Sequence, residues 1–179
     1  MEHYIMKIRI KAISILLAAL LLSACSNNSE PETSDEITQF RATVDTFCQT
    51  VADIDTKINS VNTLDPSNYT TELITDLNSL NTAFSEFAAV DFPSEYDYLE
   101  HLADEASEYM NTAVSGYTKV YTDNTLSADQ MQTEFDHATE YYDSAFKRIK
   151  VIMTFLNGET SEDASVTSGE SGTLTDPEP

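Results

Sequence analysis

The chain has 179 residues, with 31 acidic side chains against 9 basic ones and a formal charge of −22. Two cysteines exclude a disulfide-stapled miniprotein and a four-cysteine zinc site, and so acidic a chain repels nucleic-acid phosphates and anionic lipid. Four glycines and five prolines against 41% hydrophobic residues point to one folded, helical domain.

Lys7, Arg9 and Lys11 precede an apolar run over 12–22 that only Ser14 interrupts. A basic start followed by about half the ~20 apolar residues of a membrane span reads as a signal peptide. Met6 opens a Met-Lys pair, so Met1 and Met6 are both candidate starts. The run ends in Leu22-Ser23-Ala24-Cys25: a branched apolar residue, two small ones, then a cysteine. These four residues resemble the lipobox of bacterial prolipoproteins. The resemblance implies cleavage before Cys25 and a diacylglycerol thioether on its sulfur. The mature chain would then be held by palmitate-type acyl chains on the outer, extracytoplasmic face of the cell membrane. Two such chains, at ~0.8 kcal/mol per buried methylene, anchor stably. An Asp after the cysteine would resemble the inner-membrane retention signal of Gram-negative lipoproteins; Ser26 stands there instead. The other reading of the same stretch is an ordinary secretory signal cut near Ala24, with Cys25 a free thiol.

Residues 25–33 form the expected tether. Ser26 to Thr33 carry no apolar side chain, and eight residues at ~3.3 Å reach at most about 26 Å.

From Ile37 the apolar residues Ile37, Phe40, Val44, Phe47, Val51, Ile54, Ile58 and Val61 alternate at spacings of three and four, a heptad stripe. Thr33 with Glu36 reads as a capping box at its start. Asp65 and Pro66 read as the cap and first residue of a second segment carrying Leu73, Leu77, Leu80, Phe84 and Phe87. After Asp91-Phe92-Pro93 a third segment is expected, capped by Ser94 with Asp97 three residues on. Its stripe is Leu99, Leu102, Ala106, Tyr109, Ala113, Tyr117 and Val120, with Gly116 beside it permitting close approach or a bend. Asp123-Asn124 closes it. Ser127 to Gln130 form a second capping box, and Met131, Phe135, Ala138, Tyr142, Ala145, Ile149, Ile152 and Leu156 follow. Asn157-Gly158 supplies the stop, with Lys147, Arg148 and Lys150 expected near the negative end of the helix dipole. Short joints between four amphipathic segments predict an all-α, up-down-up-down antiparallel four-helix bundle with a heptad core over 34–158. That bundle holds 22 acidic and 6 basic residues. Residues 159–179, with six acids, no base and no aromatic, read as a disordered acidic tail.

Candidate chemistry is sparse. Glu134 and His137 form one Glu-x-x-His, the local pattern of di-iron carboxylate bundles, which need it twice plus inward glutamates on two other helices. His137 falls about 110° from the centre of its stripe, and His101 is also off-core. These three are the candidate metal ligands, and no catalytic or cofactor residue is assigned. Cys48, beside Phe47, reads as a small buried hydrophobe. Asp97, Glu100, Asp104 and Glu108 cluster on the face opposite Leu102, Ala106 and Tyr109, where like charges one turn apart cost a few tenths of a kcal/mol per pair. A solvated face is one account of them; a basic partner or a cation is the other. Five of the nine tyrosines lie on the third segment. Of these, Tyr96 and Tyr121 are expected, with Tyr141 on the fourth, at the bundle margin, where a ring with a wet hydroxyl suits an edge or an interface.

The chain thus resembles, through its lipobox and bundle plan, the small helical lipoproteins of Gram-positive bacteria. The expectation is a non-enzymatic interaction module at the cell envelope, anchored in the bilayer through Cys25. It meets an envelope protein or wall component on an acidic, tyrosine-bearing face and does not bind nucleic acid. A small-ligand or metal-binding bundle is the alternative.

Overall fold

A computed structural model describes residues 35–60 and 68–158. They form four helices: α1 (Asp35–Ser60), α2 (Tyr69–Ala88), α3 (Glu100–Thr122) and α4 (Ala128–Leu156). A 3₁₀ turn, Asp97–Leu99, leads into α3. No strand occurs among the described residues. The protein is all-α. The lipobox, the tether, Thr33, Asp65, Pro66 and the acidic tail lie outside the described residues.

The heptad stripes of α1 and α2 largely become core. On α3 and α4 the expected core residues Tyr109, Val120, Met131 and Tyr142 are only partly buried, whereas Ala103, Met110, Val114 and Phe146, outside the expected stripes, are buried. Phe40, Val44, Phe47, Val51, Ile54 and Ile58 of α1 are buried, as are Leu73, Leu77, Leu80, Phe84 and Phe87 of α2. Consecutive helices pack on one another, α1 on α2, α2 on α3 and α3 on α4, the last pair most extensively. An aromatic cluster ties the first two together. Phe47 stacks on Phe87 at 4.4 Å and meets Phe84 edge-on at 5.3 Å, and Phe40 meets Phe92 at 4.6 Å. Such pairs add roughly 0.5–1.5 kcal/mol each beyond the area they bury. Phe84 carries the cluster on to Phe146 of α4.

The α3–α4 seam is built from small side chains. Ala103, Ala106, Ala113 and Gly116 of α3 and Ala138 and Ala145 of α4 are all buried. A Cβ placed on Gly116 would lie 2.9 Å from the Cβ of Ala138, so the expected close approach occurs here. Contacts along the seam run in opposite directions on the two helices. Lys119 pairs with Glu134, Tyr117 meets Phe135, Tyr109 meets Tyr141, and Glu105 pairs with Arg148. By contrast α1 and α4 approach less closely, and the Cys48 thiol lies 3.8 Å from the sulfur of the longer Met153 side chain.

Two expectations about helix ends fail and two hold. Ser94 does not cap α3: the helix starts at Glu100, and its preceding residue Leu99 makes no side-chain cap. Instead the Tyr96 amide donates to the Pro93 carbonyl at 2.7 Å and the Leu99 amide to the Tyr96 carbonyl at 2.8 Å. Phe92, Tyr96 and Leu99 are buried at these turns, so core anchoring replaces capping. Nor does the basic run sit in the last turn of α4, which contains no base. The capping box at the start of α4 is present: Gln130 N–H donates to Ser127 Oγ, and Ser127 N–H donates to Gln130 Oε1 at 2.9 Å. Gly158, at φ 73°, ends the helix as expected.

Candidate functional site

The helices distribute the polar side chains into three places: the outer face of α3, the α3–α4 seam, and a cleft between α2 and α3. On the first, Asp97, Glu100, Asp104 and Glu108 are all exposed, and so is His101. None of the four carboxylates pairs with a described residue. Beside Asp97, Tyr98 is 52% exposed, the one exposed large hydrophobic side chain among the described residues. Tyr96 is a correction. It is 7% exposed, stacks on Phe40 at 6.0 Å and accepts from an Arg41 Nη2 at 3.3 Å, so it belongs to the core beside that face. Its position after the Pro93 turn swings it inward. Tyr121 is half-buried.

The metal candidates do not converge. Glu134 is taken by Lys119, whose Nζ lies 2.7 Å from its Oε2. His137 packs edge-on against Tyr141 at 4.9 Å. Because Ala138 packs on Gly116, His137 sits near that level, and His101 is fifteen residues away, about 22 Å along α3 at 1.5 Å per residue. Among the described residues no group of three or more His, Cys, Asp or Glu is placed to hold a metal ion.

The most unusual side chain is one the sequence hides. Arg148 is 2% exposed, one of the largest buried side chains. Its Nε donates to Glu105 Oε2 at 3.0 Å, its Nη2 donates to the Tyr109 hydroxyl at 3.3 Å, and its guanidinium carbon stands 4.6 Å from the centre of the Tyr109 ring. A buried guanidinium is tolerated where planar hydrogen bonding and a ring face replace water. Tyr109 continues to Tyr141 at 5.7 Å and so to His137.

A second polar group lies deeper along the same seam. The Tyr117 hydroxyl is 3.0 Å from Thr139 Oγ1, and burial pushes its pKa up to about 12. Burial also raises Tyr142, with the charges of Asp55 and Asp143 adding to it. Asp55, Asp76 and Asp143 are all raised above the usual carboxylate range, chiefly by burial. Opposing this, an Asn59 hydrogen bond lowers Asp55 and Lys57 and Lys147 lower Asp76 and Asp143 respectively. Cys48 is half-buried, and burial followed by the nearby Asp45 charge raises its thiol to about 11. Such a thiol is a packing group rather than a nucleophile.

The cleft between α2 and α3 has a volume of about 540 Å³, and its surface is divided about evenly between polar and apolar atoms. Its walls are Asn78 and Asn81 from α2 and Asn111, Ser115 and Thr118 from α3, over the buried Val114. No helix among the described residues is long and apolar enough to cross a membrane. No family model, curated protein or solved structure matches this chain.

Proposed function

We propose that this chain is a lipid-anchored, extracytoplasmic, non-enzymatic interaction module. It is held to the membrane through Cys25 and presents the acidic face of α3 to a basic region of another envelope protein or wall component. The observation that carries the reading is the exposure of Asp97, Glu100, Asp104 and Glu108 with no ion pair to any described residue. Three of them are spaced one turn apart, so the free helix bears their mutual repulsion, a few tenths of a kcal/mol per pair, and a cationic partner relieves it. Exposed Tyr98 adds a ring beside the stripe, the kind of rigid, amphipathic anchor that interfaces favour.

The architecture that suits this role is an up-down-up-down antiparallel bundle. The opposed contacts along α3 and α4 and the aromatic pairs between α1 and the end of α2 support it. A bundle with its core filled offers its partner a stiff surface.

Growth with a tagged fatty acid tests the anchor. Label on the chain, lost with Cys25→Ala together with membrane association, is the expected result; an unlabelled chain that stays in the membrane fraction overturns it. For the face, capture of the partner should weaken with rising salt. Salt-independent capture contradicts an acidic contact.

A further inference from the structure

We propose that the cleft between α2 and α3 binds a neutral, hydroxyl-rich oligosaccharide. The argument uses the cleft alone and holds whether or not the acidic face of α3 has a partner.

Asn111, Ser115, Thr118 and Thr122 fall at intervals of four, three and four on α3, a single stripe about 16 Å long at 1.5 Å per residue. Asn78 and Asn81 face it from α2. The stripe is long enough for a short oligosaccharide rather than one ring. Charge is present only at the rim, on two residues that each have a partner. Lys119 is paired with Glu134 at 2.7 Å, and Asp123 accepts from the Thr125 amide at 2.9 Å and from its hydroxyl at 2.6 Å. Away from those two charges the polar groups of the cleft are carboxamide and hydroxyl.

Thr122 donates its hydroxyl to the Thr118 carbonyl at 2.8 Å, but most of the other side chains have no partner among the described residues. The side chains of Asn78, Asn81, Asn111 and Ser115 make no hydrogen bond to another described residue. Gln49, Asn59 and Gln132 do the opposite, each donating to an aspartate one turn away on its own helix. A carboxamide offers donor and acceptor together, the pairing that a sugar hydroxyl or acetamido group returns.

Other ligand classes fit less well. A polyanion meets the field of a chain with formal charge −22. A cation finds denser carboxylates on the outer face of α3. A peptide needs side-chain pockets or a free strand edge, and the cleft offers only buried Val114 and helices whose backbone is already bonded. With no aromatic platform in its walls the site binds weakly, on the order of millimolar.

The test is an NMR titration of the isotope-labelled full chain with chitotriose and with cellotriose, using an alanine tripeptide amide as comparator. The expected result is a saturable shift of the Asn78, Asn81 and Asn111 side-chain amides with at least one of the two sugars. Asn81→Ala with Asn111→Ala should weaken that binding roughly tenfold while leaving the circular dichroism spectrum unchanged. Should the double variant lose its fold, the exposed Asn111→Ala alone serves, with a smaller loss. Absence of shifts with both sugars, shifts confined to residues outside the cleft, a response to the tripeptide only, or unchanged affinity in the folded variants would each overturn the proposal. Reversing charge at Glu100, Asp104 and Glu108 should leave sugar binding as it is, which separates failure here from failure of the acidic face.

Discussion

Arg148 on α4 donates through Nε to Glu105 on α3 at 3.0 Å, and the two ends of this pair live in different media. The arginine side chain is 2% exposed and the glutamate 42%. The cost of breaking the pair is therefore asymmetric. Glu105→Ala strands a guanidinium in the core with the Tyr109 hydroxyl and ring as its named contacts, and should cost about 2–3 kcal/mol. Arg148→Met replaces the charge with an apolar chain of similar length and should be close to neutral, within ~1 kcal/mol. Urea denaturation of the two variants decides it; Arg148→Met losing more than Glu105→Ala contradicts the argument.

Gly116→Ala sets two effects against each other. A methyl group improves helix propensity by roughly 1 kcal/mol, yet it would stand 2.9 Å from the Ala138 Cβ on a packed neighbour helix. Overpacking of this kind costs about 1–3 kcal/mol, so a net loss is expected. Pairing it with Ala138→Gly should recover much of that loss, and a thermal melt reads both. Stabilisation by Gly116→Ala alone would show that the seam has slack.

Ser127→Ala removes the acceptor of the Gln130 amide at the start of α4. A loss of about 1 kcal/mol is expected, as for other N-cap deletions. Ser127→Asp should restore it, because the carboxylate caps the same amide and meets the positive end of the helix dipole.

Asp143 gives the pH dependence its sign. Burial raises its pKa above the ordinary 3.8, with Lys147 opposing. A carboxyl raised in the folded state favours folding below its unfolded value, and that contribution disappears as pH rises through the folded value. Asp143→Asn should therefore raise the melting temperature at neutral pH, and the gain should close as pH falls below about 3.8. Asp55 and Asp76 shift in the same direction. A variant equally favoured at every pH would mean that the carboxyl is not desolvated.

Cys48 should react slowly with thiol reagents. Raising a thiol from 9.0 to about 11 removes about two orders of magnitude of thiolate near neutral pH, and half-burial slows access further. In a Cys25→Ala chain, denaturant should speed the reaction roughly a hundredfold or more. Equal rates folded and unfolded would place Cys48 in solvent.

Legibility in the sequence followed how local the cause was. The α1 stripe from Phe40 to Ile58 and the Ser127 capping box were readable because their partners lie three or four residues away. Gly116 could be singled out as a close-approach residue, although Ala138 as its neighbour depended on the register of α3 and α4. Arg148 was invisible. It sits in a basic run beside Lys147 and Lys150, and its partners Glu105 and Tyr109 are on another helix, so the sequence offers for it only a place near the negative end of the helix dipole. Tyr96 was misplaced for a similar reason: the turn after Pro93, not helical spacing, decides where its ring points. The α2–α3 cleft combines Asn78 and Asn81 with a stripe on a second helix, and nothing in either helix alone announces it.

The acidic face is the centre of the account, and crosslinking in intact cells addresses it most directly. A photoreactive residue at Ser107 of the full chain, between Asp104 and Glu108, should yield a discrete crosslinked partner. Glu100→Lys, Asp104→Lys and Glu108→Lys together should abolish that product while the chain remains folded and membrane-bound. The same product at the same yield from the charge-reversed chain would contradict the assignment of this face as the interaction surface.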